Sequence, residues 1–320
     1  MTSSSYSINI SYFEKTISES NLLGKEVYTG ICEAFLPDLF NQPQTFMVKK
    51  FENRQNYNWV VKNIIQHENN NELFFDILIE ANIAKIPEVY LHDTLKRERW
   101  KPTRILYFGT LVEVEFGATQ SIVKDKTIKK TKRYPNVLQK NEMRKRRLAI
   151  VVKVLSDHRV QVVPITSLDP GSDLSTFQLS RETLDSLVFY GNSGKDSWAL
   201  CNMLQTVSIT RILPPISKQV ERKTNKDLSP YVRHIRNELY KHKLSANDRT
   251  ILSNSLLKTY CSDDYLDLKE TKRKYIELLR QIEADRLVEE AEKKELEKYK
   301  KVCELYELDP AKELESLQVQ

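Results

Sequence analysis

Between residues 118 and 147 the chain carries eleven Lys/Arg: Lys124, Lys126, Lys129, Lys130, Lys132, Arg133, Lys140, Arg144, Lys145, Arg146 and Arg147. Only two acids, Asp125 and Glu142, offset them, which leaves the segment at +9. Guanidinium groups present planar, bidentate donors to phosphate oxygens, so the chemistry this stretch suits is polyanion binding. Affinity built on phosphate contacts falls steeply with salt and reads little sequence. Tyr134 stands beside the stretch, with Tyr107, Phe108 and Trp198 in the flanking apolar runs. Rings among cations suit stacking on single-stranded bases, although rings in apolar runs also serve as core. A second pairing of interest is Arg236 with His242, five residues apart in between. On a helix of 3.6 residues per turn they would lie about 120° apart and converge only with a second helix. Other chemistries find no support. Cys32, Cys201, Cys261 and Cys303 form no CxxC pair, and the five histidines are scattered, so no zinc spacing arises. Neither GxxxxGK[ST] nor GxGxxG occurs, and Gly is scarce at 7 in 320. No metal or cofactor is expected, and the cysteines read as free thiols of a reducing cytoplasm.

The elements that must position these residues fall into three segments. At 320 residues the chain is long enough for about two domains. Its net charge of +6 hides an asymmetry, because residues 262–320 hold 12 basic and 17 acidic residues. There is no apolar run long enough for a membrane span, and the start of the chain lacks the layout of a signal peptide. Residues 1–103 read as an N-terminal helical region, from Val60, Ile64, Ile65 and Leu73, Phe74, Ile77, Leu78 at helical spacing. Residues 104–216 change to short strands. Leu111 to Phe116 alternates, Leu148 to Leu155 is a β-branched run, and Arg159 to Thr166 makes a hairpin with it. Trp198 to Cys201 and Thr206 to Ile209 follow as further strands, which together predict a small β-barrel with a long basic loop at 118–147. Residues 217–320 read as a helical C-terminal region. Ser229-Pro230 starts a helix with Val232, Ile235 and Leu239 on one face, and a long charged helix runs from about Asp267 to Tyr306.

The order of motifs in the middle segment resembles the PemK/MazF family of toxin endoribonucleases. The residues concerned are Gly109–Gly117, then the basic stretch, Arg146–Val154, Val160–Ser167 and Ala199–Leu213. The resemblance covers about 110 of 320 residues and implies a compact SH3-like barrel. It further implies metal-independent cleavage of single-stranded RNA by attack of a ribose 2′-OH on its own phosphate. Within it, Arg147 matches the family Arg and would contact the scissile phosphate and help in proton transfer. Thr166, ending a Pro-Ile-Thr strand, would place its hydroxyl on the same phosphate. Glu142 matches the loop Glu, to orient Arg147 or act as base. Lys129, Lys130, Lys132, Arg133, Arg144, Arg146 and Gln205 would hold the RNA. The sequence departs from the family at Leu148, where Pro is usual, at Gln205, where Arg is usual, and in the length of its basic loop. The Arg236/His242 spacing also resembles the signature of HEPN ribonucleases, which act on RNA without metal.

The expectation is therefore an α+β multidomain chain: an SH3-like barrel flanked by N-terminal and C-terminal helical regions. Its function would be that of a toxin-like mRNA interferase, cytoplasmic and homodimeric, with single-stranded RNA and an antitoxin or other protein as partners. The competing reading is a diverged barrel that binds RNA or protein as an adaptor without cutting. The acidic tail would either cover the basic loop in cis or serve as a solubilising or dimerising helix.

Overall fold

The computed structural model describes the chain apart from residues 1–6, 16–19, 32, 39–44, 70–71, 132–133, 140, 174, 192, 222–230, 262, 307–308, 310–311 and 313–320. It is a mixed α+β protein with several sheets, and it divides into two units, residues 1–259 and 260–320.

The N-terminal third is β structure, which corrects the helical expectation. Its strands are β1 (Ser7–Lys15), β2 (Ser20–Tyr28), β3 (Glu33–Pro37), β4 (Thr45–Val48), β5 (Asn58–Asn69) and β6 (Glu72–Ala81). Five of them form a sheet in the order β2-β1-β6-β5-β4, with β1 parallel to β6 and the other pairs antiparallel. The reason is visible in β6, where Leu73, Phe75, Ile77 and Ile79 are fully buried at a period of two. Phe74 and Leu78 on the other face are only half-buried. An apolar run that fills both strand faces also contains the steps of a helical stripe, and here the strand period wins.

After helix α1 (Leu91–Glu98) come β7 (Leu111–Glu115), β8 (Gln120–Lys124) and β9 (Thr127–Lys130). The supposed basic loop thus begins as a hairpin. Asp125 and Lys126 form its two-residue turn with φ of 52° and 56°, between Lys124 and Thr127, which pair. Two consecutive positive φ values are the signature of a type I′ turn, whose twist suits a hairpin. β8 also pairs with β3, and the three-stranded sheet β3-β8-β9 contributes Ala34, Leu36 and Val123 to the core of the first sheet. The result is two sheets sharing one core.

The middle segment continues with β10 (Arg146–Val154), β11 (Arg159–Thr166), β12 (Thr176–Gln178), helix α2 (Arg181–Leu184), β13 (Trp198–Leu200), β14 (Gln205–Ser208) and β15 (Ile212–Leu213). The sheet order is β12-β13-β11-β10-β7-β15, with β14 also on β11. β14 and β15 are three residues apart in the chain yet flank opposite sides of β11-β10-β7, so this sheet curls into a half-barrel. Val112, Val114, Ala149, Val151, Val160 and Val162 bury one face, and Leu111, Leu148, Ile150, Val163 and Ile165 bury the other.

β16 (Ile216–Glu221) and β17 (Tyr231–Arg236) form a hairpin, not the helix expected there; the Ser229-Pro230 start lies outside the described residues. The chain then returns to the half-barrel, where Leu111 donates to the His242 carbonyl (2.9 Å) and Leu244 to that of Gly109 (2.8 Å). Helix α3 (Ala246–Tyr260) is held by the buried Asp248. Its carboxylate accepts from the Ser180 amide (3.1 Å), the Ser180 hydroxyl (2.8 Å) and the Thr183 hydroxyl (2.5 Å), which ties α3 to α2. The second unit contains α4 (Asp263–Leu305), the long charged helix the sequence announced. No helix among the described residues is long and apolar enough to cross a membrane.

Candidate functional site

The site is built where β10 begins. Lys145 sits at φ 65°, its amide donates to the Gly117 carbonyl (2.6 Å), and its carbonyl accepts from Phe116 (3.1 Å). A non-glycine residue in the left-handed region carries strain of order 1 kcal/mol and persists only where its surroundings hold it. Gly117 is itself at φ 103°, and a Cβ there would meet Leu138 Cδ1 at 2.9 Å. This clasp fixes Arg147 opposite Val114 of β7. Arg147 Nε donates to the Arg144 carbonyl (3.1 Å). Arg144, Lys145 and Arg147 are all half-buried, and among the described residues none has a carboxylate partner. Burial and then Arg144 push the Arg147 guanidinium below its ordinary pKa, with Tyr190 opposing. Burial, Arg144 and Arg147 do the same to Lys145. Three cations that repel one another at the edge of a low-dielectric core are a standing demand for an anion.

Thr166 ends β11. The β10/β11 ladder ends at Ala149 opposite Pro164, and Arg147 and Thr166 each lie two residues beyond that pair on their own strands, Thr166 pairing with Trp198 of β13. Thr166 Oγ1 accepts from the Leu168 amide (3.2 Å), which leaves its hydroxyl proton to be donated.

The other expected residues scatter. The exposed Glu142 carboxylate accepts from the Gln139 amide (2.8 Å) and makes no contact with the Arg147 guanidinium. Gln205 opens β14 opposite Val162, four residues along β11 from Thr166, about 13 Å at a strand's rise. Lys129 pairs with Asp125 (3.0 Å), and Lys130 is exposed on β9. Lys132 and Arg133 lie outside the described residues. Lys124 pairs with Glu33 (2.8 Å) and Lys126 with Glu68.

Arg146 is committed elsewhere. It grips Glu88 with both arms and reaches Glu115 through Nε (2.5 Å). Burial works against its charge, but the two carboxylates outweigh burial and drive its pKa up. Burial likewise works against the Glu88 charge, and Arg146 and Arg236 together hold it below the usual range. Arg236, with a side chain 6% exposed, donates to Glu113 Oε2 (2.8 Å) and to the Pro214 carbonyl (2.5 Å). This corrects the Arg236/His242 reading. Arg236 lies on β17, no helix joins it to His242, and the half-buried His242 ring meets Ser186 (3.0 Å). This five-member network of Glu88, Glu113, Glu115, Arg146 and Arg236 was not legible in the sequence. Its one signal was the placing of Glu113 and Glu115 on the same face of a strand.

Among the described residues no group of three or more His, Cys, Asp or Glu is placed to hold a metal ion. Compared with known protein families and with curated proteins, the chain matches none.

Proposed function

We propose that the half-barrel binds single-stranded RNA at the start of β10 and cleaves it without a metal, as a PemK/MazF-like endoribonuclease with an SH3-like barrel. One observation carries this reading: Arg144, Lys145 and Arg147 are half-buried together with no carboxylate partner among the described residues, at the end of the β10/β11 ladder beyond which Thr166 also lies. A phosphodiester supplies the missing anion and accepts from both Arg147 and Thr166. In the reaction the 2′-OH attacks its own phosphorus, the bond to the 5′-oxygen breaks, the leaving oxygen takes a proton from water, and a cyclic phosphate and a 5′-hydroxyl result. Arg147 and Thr166 stabilise charge on the phosphoryl oxygens, where preorganised donors contribute most. The 2′-OH proton passes to a base, for which Glu142 is the candidate once it exchanges its bond to Gln139. A homodimer and a protein partner that controls the site belong to the same reading, supported by the apolar side chains that α4 leaves exposed, among them Tyr275, Leu279 and Ile282.

A second reading has its own observation. Glu142 is engaged by a backbone amide, and Gln205 is neither a cation nor at the level of Thr166. A half-barrel so arranged binds RNA without cutting it. The deciding experiment is cleavage of a mixed single-stranded RNA with EDTA present, by the whole protein, Arg147→Ala and Thr166→Ala. Cleavage that falls at least about 100-fold in both variants is the expected result. Binding without cleavage by the unaltered protein establishes the adaptor.

A further inference from the structure

A cavity of about 420 Å³ opens beside residues 100–107, lined by Trp100, Arg104, Tyr107, Leu239, Lys241 and Lys243 among others. Its aromatic rings are already in contact with cations. Arg104 Cζ lies 4.3 Å from the Trp100 ring centroid, and Lys243 Nζ lies 4.7 Å from that of Tyr107. The Tyr107 hydroxyl donates to the Arg104 carbonyl (2.6 Å), which fixes one ring against the turn that carries the other cation. Arg104, Lys241 and Lys243 are exposed and, among the described residues, have no carboxylate partner. Tyr107 is 50% exposed and Leu239 48%.

We infer that this cleft is a second binding site for single-stranded nucleic acid, separate from the Arg147 site. The inference rests on the proposed function for the identity of the nucleic acid as RNA. The chemistry of the lining selects the ligand. Unpaired cations ask for anions, and the exposed Tyr107 ring, the half-buried Trp100 ring that also packs on the core, and the guanidinium ask for flat, polarisable partners. Successive nucleotides provide both, a phosphate and a base, whereas an acidic peptide provides only the first. The volume is that of a small-molecule pocket, so it takes unpaired nucleotides and not a duplex. Thr110 bridges to Lys243 just before β7, whereas Arg147 pairs with Val114 near the far end of that strand. The two sites are thus displaced along β7 by about 13 Å, the rise of the residues from 110 to 114. A strand held in the cleft therefore engages the protein beyond the nucleotides at Arg147, which raises affinity for longer RNA without touching the reacting phosphate.

The test is binding of a fluorescein-labelled oligouridine of about 16 nucleotides to the whole protein in EDTA, read by anisotropy over a salt series. The variants are Trp100→Ala, Trp100→Phe and the exposed-charge variant Lys241→Glu/Lys243→Glu, each checked for an unchanged thermal midpoint. Trp100→Ala should weaken binding about tenfold and Trp100→Phe much less. The charge variant should weaken binding and flatten the salt dependence by about two phosphate contacts. A poly-glutamate competitor should not displace the RNA. Unchanged affinity and slope in the charge variant, or displacement by poly-glutamate, overturns the cleft. The failure of the cleavage reading looks different: binding with these variant effects but no cut RNA overturns that reading and leaves the cleft standing. Cleavage by a protein whose cleft variants bind normally overturns the cleft alone.

Discussion

Glu113 occupies a strand position whose neighbours Leu111, Leu148 and Ile150 are all fully buried, and it is itself only 3% exposed. A carboxylate there exists only because Arg236 reaches it from β17. The pair is evidence of specificity more than of stability, since desolvating two charges offsets most of their attraction. Among the described residues Arg236 Nε has no hydrogen-bond partner, so within them the site is not fully satisfied. Removing one partner is a different matter, because it leaves the other charge buried alone. Arg236→Ala should therefore destabilise the protein by about 3–5 kcal/mol. Glu113→Leu combined with Arg236→Met should recover most of that loss, because it removes both charges and keeps the volume. Urea unfolding midpoints of the three proteins decide the point. If the double variant is no better than the single one, the pair is a net stabiliser and the desolvation argument is wrong here. The same logic separates the cations of the 118–147 segment. Arg146 is spent on Glu88 and Glu115, while Arg147, its neighbour in sequence, faces no carboxylate among the described residues. Adjacent strand residues point to opposite faces, so one Arg of the pair meets the acidic network and the other turns away from it.

At the scale of elements, what the sequence revealed followed the purity of its pattern. The strand Leu111–Glu115 alternates and Arg146–Val154 is β-branched, and both were legible, as was the hairpin to Thr166. Those same elements carry Arg147 and Thr166, with Arg147 inside β10 and not in the basic loop where its composition had put it. The places of Glu142 and Gln205 are not set by strand pattern, because they depend on loop hydrogen bonds and on which stretch of β11 the later strands choose. The N-terminal sheet was misread because Phe74 and Leu78 are apolar on its second face, so that periodicity alone favoured a helix. β17 was misread for a related reason: Val232 and Ile235 are three apart, but they stand on a two-stranded ribbon. The basic hairpin hid behind its composition. Asp125-Lys126 is not the usual Asn-Gly, although its φ values are those of the same turn. That gives a prediction. Lys126→Gly relieves left-handed strain of about 1 kcal/mol. It loses the exposed ion pair with Glu68, a contribution of well under 1 kcal/mol at such a site. The variant should be slightly more stable than the parent by thermal midpoint. A clear drop would mean that the Lys126 side chain, not its backbone, is what the turn needs.

For the whole molecule, charge is the property that was most legible and that bears most on function. The net +6 and the −5 of residues 262–320 leave +11 on the residues before them. α4 has no described buried side chain between residues 267 and 298, and pairs such as Glu270–Lys274 (3.0 Å) and Arg286–Glu290 (3.2 Å) support it from within. At 1.5 Å per residue its 43 residues extend about 65 Å. The unit at 1–259 has cores of its own, the three buried clusters that line its sheets, all of whose members come from residues before 260. A chain ended at Thr259 should therefore fold, with a thermal midpoint within a few degrees of the full protein. On the proposed reading, its binding of RNA should change in a defined way. Losing five net negative charges strengthens the long-range attraction for a polyanion, and that attraction is screened beyond about 10 Å at 0.1 M salt. The shortened protein should bind oligouridine more tightly than the full chain at low ionic strength, with the two converging as salt rises. A gap that persists at high salt would show instead that residues 260–320 occupy the binding surface through contacts salt does not screen, which is the behaviour of a built-in inhibitor and not of a charged appendage.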